Sequence, residues 1–304
     1  MQMNDDFDTE GTGYKMDSRK HMMALYLAFV FWGSTIVMFK FALRTLPPVM
    51  LLFVRYLVAI PTLYIILRLR GALKRVRRED MPTIFLIGFM GYFFSFSLQM
   101  LSMDRLTGSI ASLLSTLNPV FIPLLAVIFL RESLTAAKVI SILISMTGVV
   151  IIVGVNGSAD LAGVLLMLAS VFLWSVTSIV MRRTRGRYDP MQVVMMGLIC
   201  ALPFVGVWGA AELRGASAEF PLLTVVSVVY LATFGMTVPH SLWNYCLSKM
   251  DASFCSMFYP LQTLISATLS VLLLGEKITA SYVLGGVMIC AGIVYAARSG
   301  MKKA

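Results

Sequence analysis

FLRESLTA, from Phe129 to Ala136, returns 144 residues further on as LLGEKITA, from Leu273 to Ala280. Both stretches set charged and hydroxyl residues into long apolar runs, and neither matches a nucleotide loop, a metal cluster or a catalytic triad. Moving outward from the pair, the same offset aligns Gly91 with Gly235, Ser97-Leu98 with Ser241-Leu242, Ser109 with Ser253, Ser112 with Ser256, Leu117 with Leu261 and Gly148 with Gly292. An offset of 142 aligns Trp32 with Trp174, Pro48 with Pro190 and Pro61 with Pro203. The chain reads as two copies of one unit, 21–156 and 157–299, between an N-terminal tail of 1–20 and a C-terminal tail of 300–304.

The surroundings of the repeat belong in a bilayer. Of 304 residues, 59% are hydrophobic and 13% charged, with a mean hydropathy of +0.85, which leaves too little polar surface to cover a water-soluble globule. A spanning helix takes about 20 mostly apolar residues. Ten stretches qualify, near 22–43, 48–69, 82–101, 105–130, 137–155, 160–181, 190–211, 221–247, 252–274 and 280–298. The expected fold is an all-α integral membrane protein of ten transmembrane helices. Each copy holds five spans, so the second copy enters the membrane from the opposite side and the two form inverted repeats. Such a unit can close on either membrane face by nearly equivalent packing.

Basic residues set the orientation. With the N-terminus inside, the inner loops and tails receive Lys15, Arg19, Lys20, Arg68, Arg70, Lys74, Arg75, Arg77, Arg78, Arg131, Lys138, Arg182, Arg183, Arg185, Arg187, Lys249, Arg298, Lys302 and Lys303. The outer loops receive Arg44, Arg105, Arg214 and Lys277. The positive-inside rule therefore places both termini in the cytoplasm. A net charge of +10 could attract nucleic acid, but here it sits in short loops beside anionic lipid headgroups, so membrane lipid is the expected partner and nucleic acid is not. The acidic start, MQMNDDFDTEGTGYKMD, lacks the basic opening of a secretory signal. Asp6–Asp17 places acids and Gly11 in the pattern of a calcium loop, but no helix precedes it and Gly13 stands where an apolar residue is usual; the expectation is a disordered, solvated tail. Cys200, Cys246, Cys255 and Cys290 show no paired spacing and read as small core residues.

The opening turns now have a local explanation. Glu132 and Glu276 end the fourth and ninth spans on opposite faces, and Thr135 and Thr279 are placed to N-cap the helices that follow. The turns read as helical hairpins at a membrane boundary, with gating by either glutamate as the alternative. FWGSTIVMFKFAL (Phe31–Leu43), VRYLVA from Val54, LNPVFIPLLAVIFLRESLT (Leu117–Thr135) and LLLGEKIT (Leu272–Thr279) resemble the EamA-type branch of the drug/metabolite transporter superfamily. The resemblance covers nearly everything after the tail. It implies a ten-helix transporter of small metabolites, built around a central cavity. One departure is Gln262-Thr263 where the first copy has Asn118-Pro119, with proline at Pro260 instead. Pro61, Pro119, Pro123, Pro203, Pro239 and Pro260 all fall within expected spans, where each frees a carbonyl and can kink the helix.

Polar residues inside spans tend to face the bundle interior. Tyr92, Ser95 and Gln99 share a face of the third span at helical spacing, and Ser112, Thr116 and Pro119 share one on the fourth beside Asn118. Ser256, Tyr259, Thr263, Ser266 and Ser270 form a stripe on the ninth span, and His240 and Asn244 are an i, i+4 pair on the eighth beside Trp243. With Trp32 and Trp174, these make an aromatic and amide lining suited to a small, partly apolar solute. The serines can equally serve close helix packing, and His240 can be a hydrogen-bonded core residue rather than a proton carrier. The 22 methionines suit either gap filling or an adaptable pocket.

Charge discriminates further. All fifteen Asp and Glu residues fall in tails, loops or span ends, so no carboxylate waits mid-membrane for a cationic drug. Lys40 lies near the outer end of the first span, where snorkelling to the surface is expected. Arg55 lies deeper, about seven residues into the second span, where a guanidinium facing a cavity would pair with a carboxylate or phosphate. The expected substrate-binding set is Trp32, Arg55, Tyr92, Gln99, Asn118, Trp174, His240, Trp243, Asn244 and Tyr259, with Pro119, Glu132, Pro260 and Glu276 as structural or gating residues. No catalytic, metal or cofactor constellation is present. The expected activity is alternating-access export of amino acids or related carboxylate-bearing metabolites. The alternatives are a phosphate-bearing or nucleotide-sugar exchanger and a polyspecific drug exporter; oligomeric state is left open.

Overall fold

The computed structural model describes residues 10–118, 120–122, 125, 136–154, 160–184, 186–215, 218–250, 255 and 258–301. Its regular elements are helices, in the order α1 (Glu10–Ala42), α2 (Pro48–Leu69), α3 (Met81–Leu86), a π-helical segment (Ile87–Ser95), α4 (Phe96–Arg105), α5 (Gly108–Ser115), α6 (Ala136–Gly154) and α7 (Leu161–Met181). These are followed by α8 (Pro190–Glu212), α9 (Leu222–Ala232), a second π-helical segment (Thr233–Thr237), α10 (Val238–Lys249), α11 (Tyr259–Leu274) and α12 (Ala280–Met301).

Among the described residues, six segments are long and apolar enough to cross a bilayer: Lys20–Ala42, Pro48–Leu69, Arg78–Arg105, Leu161–Met181, Pro190–Glu212 and Leu222–Lys249. Shorter apolar helices run over Gly108–Ile122, Tyr259–Leu274 and Ala280–Gly292. The expected spans 105–130 and 252–274 lie partly outside the described residues, as do Pro119, Glu132, Thr135 and Ser256. Apolar side chains also cover the outside of the bundle; Val207, Leu264 and Leu272 are 75%, 67% and 71% exposed, a surface that suits lipid and not water. The protein is a multi-pass membrane protein.

Helix boundaries follow from capping chemistry. Pro48 and Pro190, matched by the repeat, sit in the first turns of α2 and α8, where proline's missing N–H leaves no bond unmade. Asp189 accepts the Met191 N–H at 2.9 Å, and Thr279 accepts the Tyr282 N–H at 3.1 Å at the start of α12, the N-cap expected from the sequence. Gly275 closes α11 at φ +66°, a left-handed cap that costs glycine no Cβ clash. Two expectations are corrected. Residues 10–20 continue α1 where a disordered tail was expected. Pro260 lies in the first turn of α11, so it opens that helix and removes no ladder bond from its interior.

The helices pack in repeat-related pairs. α2 lies against α8, and α6 against α12; α1 packs on α10 and its π segment much as α7 packs on α4 and the other π segment. The two π segments occupy corresponding places in the copies. Pro239, just past the second, has no N–H to close an ordinary helical turn, and the Thr237 hydroxyl takes up the Ala232 carbonyl at 2.9 Å. Both segments carry a glycine in close contact. A Cβ on Gly91 would lie 2.5 Å from Thr177 Cγ2, and one on Gly235 would lie 3.0 Å from Thr35 Cγ2; Thr35 and Thr177 are themselves matched at offset 142.

The α6–α12 pair rests on the same device. A Cβ on Gly148 would come 2.6 Å from the Gly285 carbonyl oxygen, a backbone atom that can yield only if the helices part. Gly148→Val is therefore expected to destabilise the purified protein by about 1–3 kcal/mol, the range for overpacking. Thermal unfolding in detergent checks it: an unchanged midpoint would show that α6 and α12 do not need this approach.

Candidate functional site

The π segments and the helices that cross beside them enclose a cavity of about 60 Å³. Its lining includes Trp32, Thr35 and Phe39 of α1, Arg55 of α2, Ser95 at the π-segment end, and Phe96, Gln99 and Met103 of α4. Ser115 and Asn118 join from the fourth-span region, Ser170, Val171 and Trp174 from α7, His240 from α10, and Tyr259 and Gln262 from α11. The volume is small beside the roughly 300–1,000 Å³ of pockets that engulf metabolite-sized ligands, so this is a closed-down arrangement that must widen to admit one.

Arg55 sits in the middle of this lining. It is 2% exposed, two turns into α2, about 10 Å along the helix at 1.5 Å per residue. Among the described residues no acidic side chain lines the cavity, Arg55 forms no ion pair, and its Nε has no hydrogen-bond partner. Its guanidinium carbon lies 5.0 Å from the Phe39 ring centre and 5.7 Å from that of Phe96. Cation–π contacts of this kind recover only part of the lost hydration.

The aromatic residues form a connected wall. His240 lies between the two repeat-matched tryptophans, its ring 5.0 Å from Trp32 and 5.4 Å from Trp174, edge-on to both. Trp174 stacks on Phe96 at 5.1 Å and 29° and donates Nε1–H to the Tyr259 hydroxyl at 3.0 Å. Trp32 lies nearly parallel to Tyr259, with 6.2 Å between centres. His240 Nδ1 is 3.1 Å from the Met236 carbonyl and 3.4 Å from Trp32 Nε1; a neutral ring serves one of them at a time, as donor to the first or acceptor from the second. On the amide side, Asn118 Oδ1 accepts from Ser175 and its Nδ2 donates to the Ser115 carbonyl, both at 2.9 Å. Gln262 Nε2 reaches the Ser115 hydroxyl at 3.4 Å. Gln99 lines the cavity half-buried with no hydrogen bond among the described residues.

Three residues expected at the site do not line this cavity. Tyr92 lies behind the lining, its ring against Phe96, Trp174 and His240 and against α8, where a Cβ on Gly197 would meet it at 2.5 Å. The π segment over Ile87–Ser95 widens the turn and breaks the α-helical spacing that put Tyr92 in line with Ser95 and Gln99. Trp243 is fully buried behind the wall, packed on Phe29, Trp32 and Tyr259. Asn244 opens into a second cavity of about 670 Å³ with Arg70, Asp189 and Lys249, and donates to the Pro190 carbonyl at 3.0 Å. It shares a helix face with His240, but one turn of about 5.4 Å carries it past the floor of the central cavity. Conversely, Gln262 and Phe96 line the cavity without having been placed in the expected binding set. The offset of 144 held the signal, since it matches Gln262 with Asn118 and Phe96 with His240.

A third cavity, of about 410 Å³, lies at the opposite end from the basic loops and is lined by Lys40, Arg44, Asp104, Arg105 and Glu276. It abuts the central cavity, because Phe39 and Met103 line the one while their neighbours Lys40 and Asp104 line the other. Lys40 does not snorkel outward as expected. Its Nζ donates to the carbonyls of Met103 and Leu106, which belong to the unsatisfied last turn of α4. Glu276 faces it across the same turn, accepting the Gly108 and Ser109 N–H groups at 2.7 and 3.0 Å and the Ser109 hydroxyl at 2.6 Å. Lysine at a helix end and glutamate at a helix start both match the local dipole. Glu212, which sequence reasoning passed over, does the same for α2 by accepting from Val49 and Met50 at 2.9 and 3.0 Å. Beyond the membrane-facing helices, Arg105 pairs with Asp160 at 2.9 Å, and that hydrogen bond holds the Asp160 carboxyl below the usual carboxylate range.

The EamA-like transporter family model matches twice, over residues 19–154 and 161–298. A protein of Archaeoglobus fulgidus named "Uncharacterized transporter" is 27% identical over 92% of this chain and 99% of its own length. One of Escherichia coli strain K12 named "Probable amino-acid metabolite efflux pump" is 26% identical over 91% of this chain and 94% of its own. A solved crystal structure superposes with a TM-score of 0.68 at 17% identity, covering 93% of this chain and 98% of that one, which shows a shared fold.

Proposed function

The chain belongs to the EamA-like transporter family, and from that premise we propose that it exports amino acids or related carboxylate-bearing metabolites through the cytoplasmic membrane by alternating access, without catalysing a reaction. The observation that carries the substrate class is Arg55, a buried guanidinium with no acidic partner among the described residues, lining the central cavity. A buried, unpaired cation is costly, and a ligand carboxylate offers it the two-pronged hydrogen bonding that guanidinium prefers. The name of the Escherichia coli relative supports the same class.

In this reading ten spans form two inverted five-helix repeats, with both termini in the cytoplasm. The twofold family match and the paired packing of α2 with α8 and α6 with α12 support it. The basic loops carrying Arg70, Lys74, Arg187 and Lys249 face the cytoplasm and its anionic lipids, and the 670 Å³ cavity becomes the inner vestibule. The 410 Å³ cavity at Lys40 and Glu276 is the outer one. A thermal-shift screen of detergent-purified protein against amino acids, organic acids, sugar phosphates, nucleotides and lipophilic cations tests the reading. Carboxylates should raise the unfolding midpoint of the wild type and leave Arg55→Ala unmoved. Stabilisation by sugar phosphates and nucleotides alone would favour an exchanger, and stabilisation by cations regardless of Arg55 would favour a polyspecific drug exporter.

A further inference from the structure

Resting on the carboxylate reading, we infer that the central cavity selects compact aromatic monocarboxylates that carry no ammonium group over zwitterionic amino acids of the same shape. The inference comes from what faces Arg55. Among the described residues the cavity holds one fixed charge and no Asp or Glu, so a ligand with a single negative charge neutralises it. A zwitterion brings a second cation into a site of low dielectric, close to the first, where like charges repel strongly. The acceptors on hand are neutral: Asn118 Oδ1 and the Tyr259 hydroxyl already take a hydrogen bond from Ser175 and Trp174, and the Gln99 amide oxygen, a dipole and not a charge, offsets only part of the repulsion. The nearest ring faces are shared too, since Phe39 and Phe96 already face the guanidinium.

The rest of the lining describes the body of the ligand. Trp174 on Phe96, and Trp32 beside Tyr259, form two near-parallel ring pairs. A flat ring laid against this aromatic wall can make offset or edge-to-face contacts with it, which a puckered ring of equal size cannot do. Gln99, with its amide uncommitted, supplies a second donor for the carboxylate.

Calorimetric titration of the detergent-purified full chain at pH 7 tests this with four ligands built on one skeleton: 3-phenylpropanoate, phenylalanine, phenethylamine and 3-cyclohexylpropanoate. The expected order places 3-phenylpropanoate at least tenfold tighter than phenylalanine and several-fold tighter than 3-cyclohexylpropanoate, with phenethylamine unbound. Phenylalanine binding as tightly as 3-phenylpropanoate would overturn the exclusion of ammonium and leave the carboxylate reading standing. Equal binding of 3-cyclohexylpropanoate would overturn the aromatic preference alone. Binding of phenethylamine without the carboxylates, or of none of the four, would overturn both the inference and the reading beneath it. The ranking is read from wild-type protein, so it does not depend on whether an Arg55 variant folds.

Discussion

Arg55→Met loses carboxylate binding by about thirtyfold or more and at the same time unfolds at a higher temperature than the wild type. The first effect follows from removing one member of a buried charge pair formed with the ligand, which costs about 2–5 kcal/mol. The second follows from the empty state. Arg55 is 2% exposed, its Nε has no partner among the described residues, and the rings of Phe39, Tyr56 and Phe96 are what its guanidinium rests on. Even a buried ion pair can be replaced by apolar side chains of similar volume at no cost or with a gain of about 1–4 kcal/mol, and a guanidinium that lacks its counter-charge has less attraction to lose. Thermal unfolding and ligand titration on the same preparations read both effects. A variant that is less stable and still binds would mean that Arg55 serves packing and does not meet the ligand.

Glu276→Ala frees the Lys40 end of the cavity. Its carboxylate receives two N–H groups and one hydroxyl from the first residues of α5, and hydrogen bonds to a charged group are worth about 1.5–3 kcal/mol each in net stability. Lys40 holds the same turn from the other side through the Met103 and Leu106 carbonyls, and keeps its bonds in the variant. The expected result is amide exchange over residues 106–112 at least tenfold faster than in the wild type, since each 1.4 kcal/mol is a factor of ten. Glu276→Gln keeps an acceptor without the charge and should fall between. Unchanged exchange in Glu276→Ala would show that the turn is held by other contacts.

What the sequence disclosed was mostly what depends on charge and on repetition. The two copies were visible because Trp32 and Trp174, Pro48 and Pro190, and the two glutamate turns recur at nearly one offset, and a polar or charged residue in an apolar run is conspicuous. Trp32, Arg55, Gln99, Asn118, Trp174, His240 and Tyr259 line one cavity. Tyr92 and Asn244 do not, for different reasons. The widened turns at Ile87–Ser95 and Thr233–Thr237 arise with the close approach of Gly91 to Thr177 and Gly235 to Thr35, contacts between distant segments that no local spacing encodes. Asn244 has the right face and the wrong depth. The capping role of Glu212 at α2 likewise exists only once α8 lies alongside it, so a glutamate at the end of a span carried no mark of its task.

The most direct test of the account is counterflow in proteoliposomes preloaded with an unlabelled aromatic monocarboxylate and given trace labelled compound outside. Wild-type protein should accumulate the label transiently, and Arg55→Met, inserted equally well, should match protein-free vesicles. Equal accumulation by the two proteins, or none by the wild type across amino acids and their carboxylate relatives, would contradict a carboxylate transporter built around Arg55.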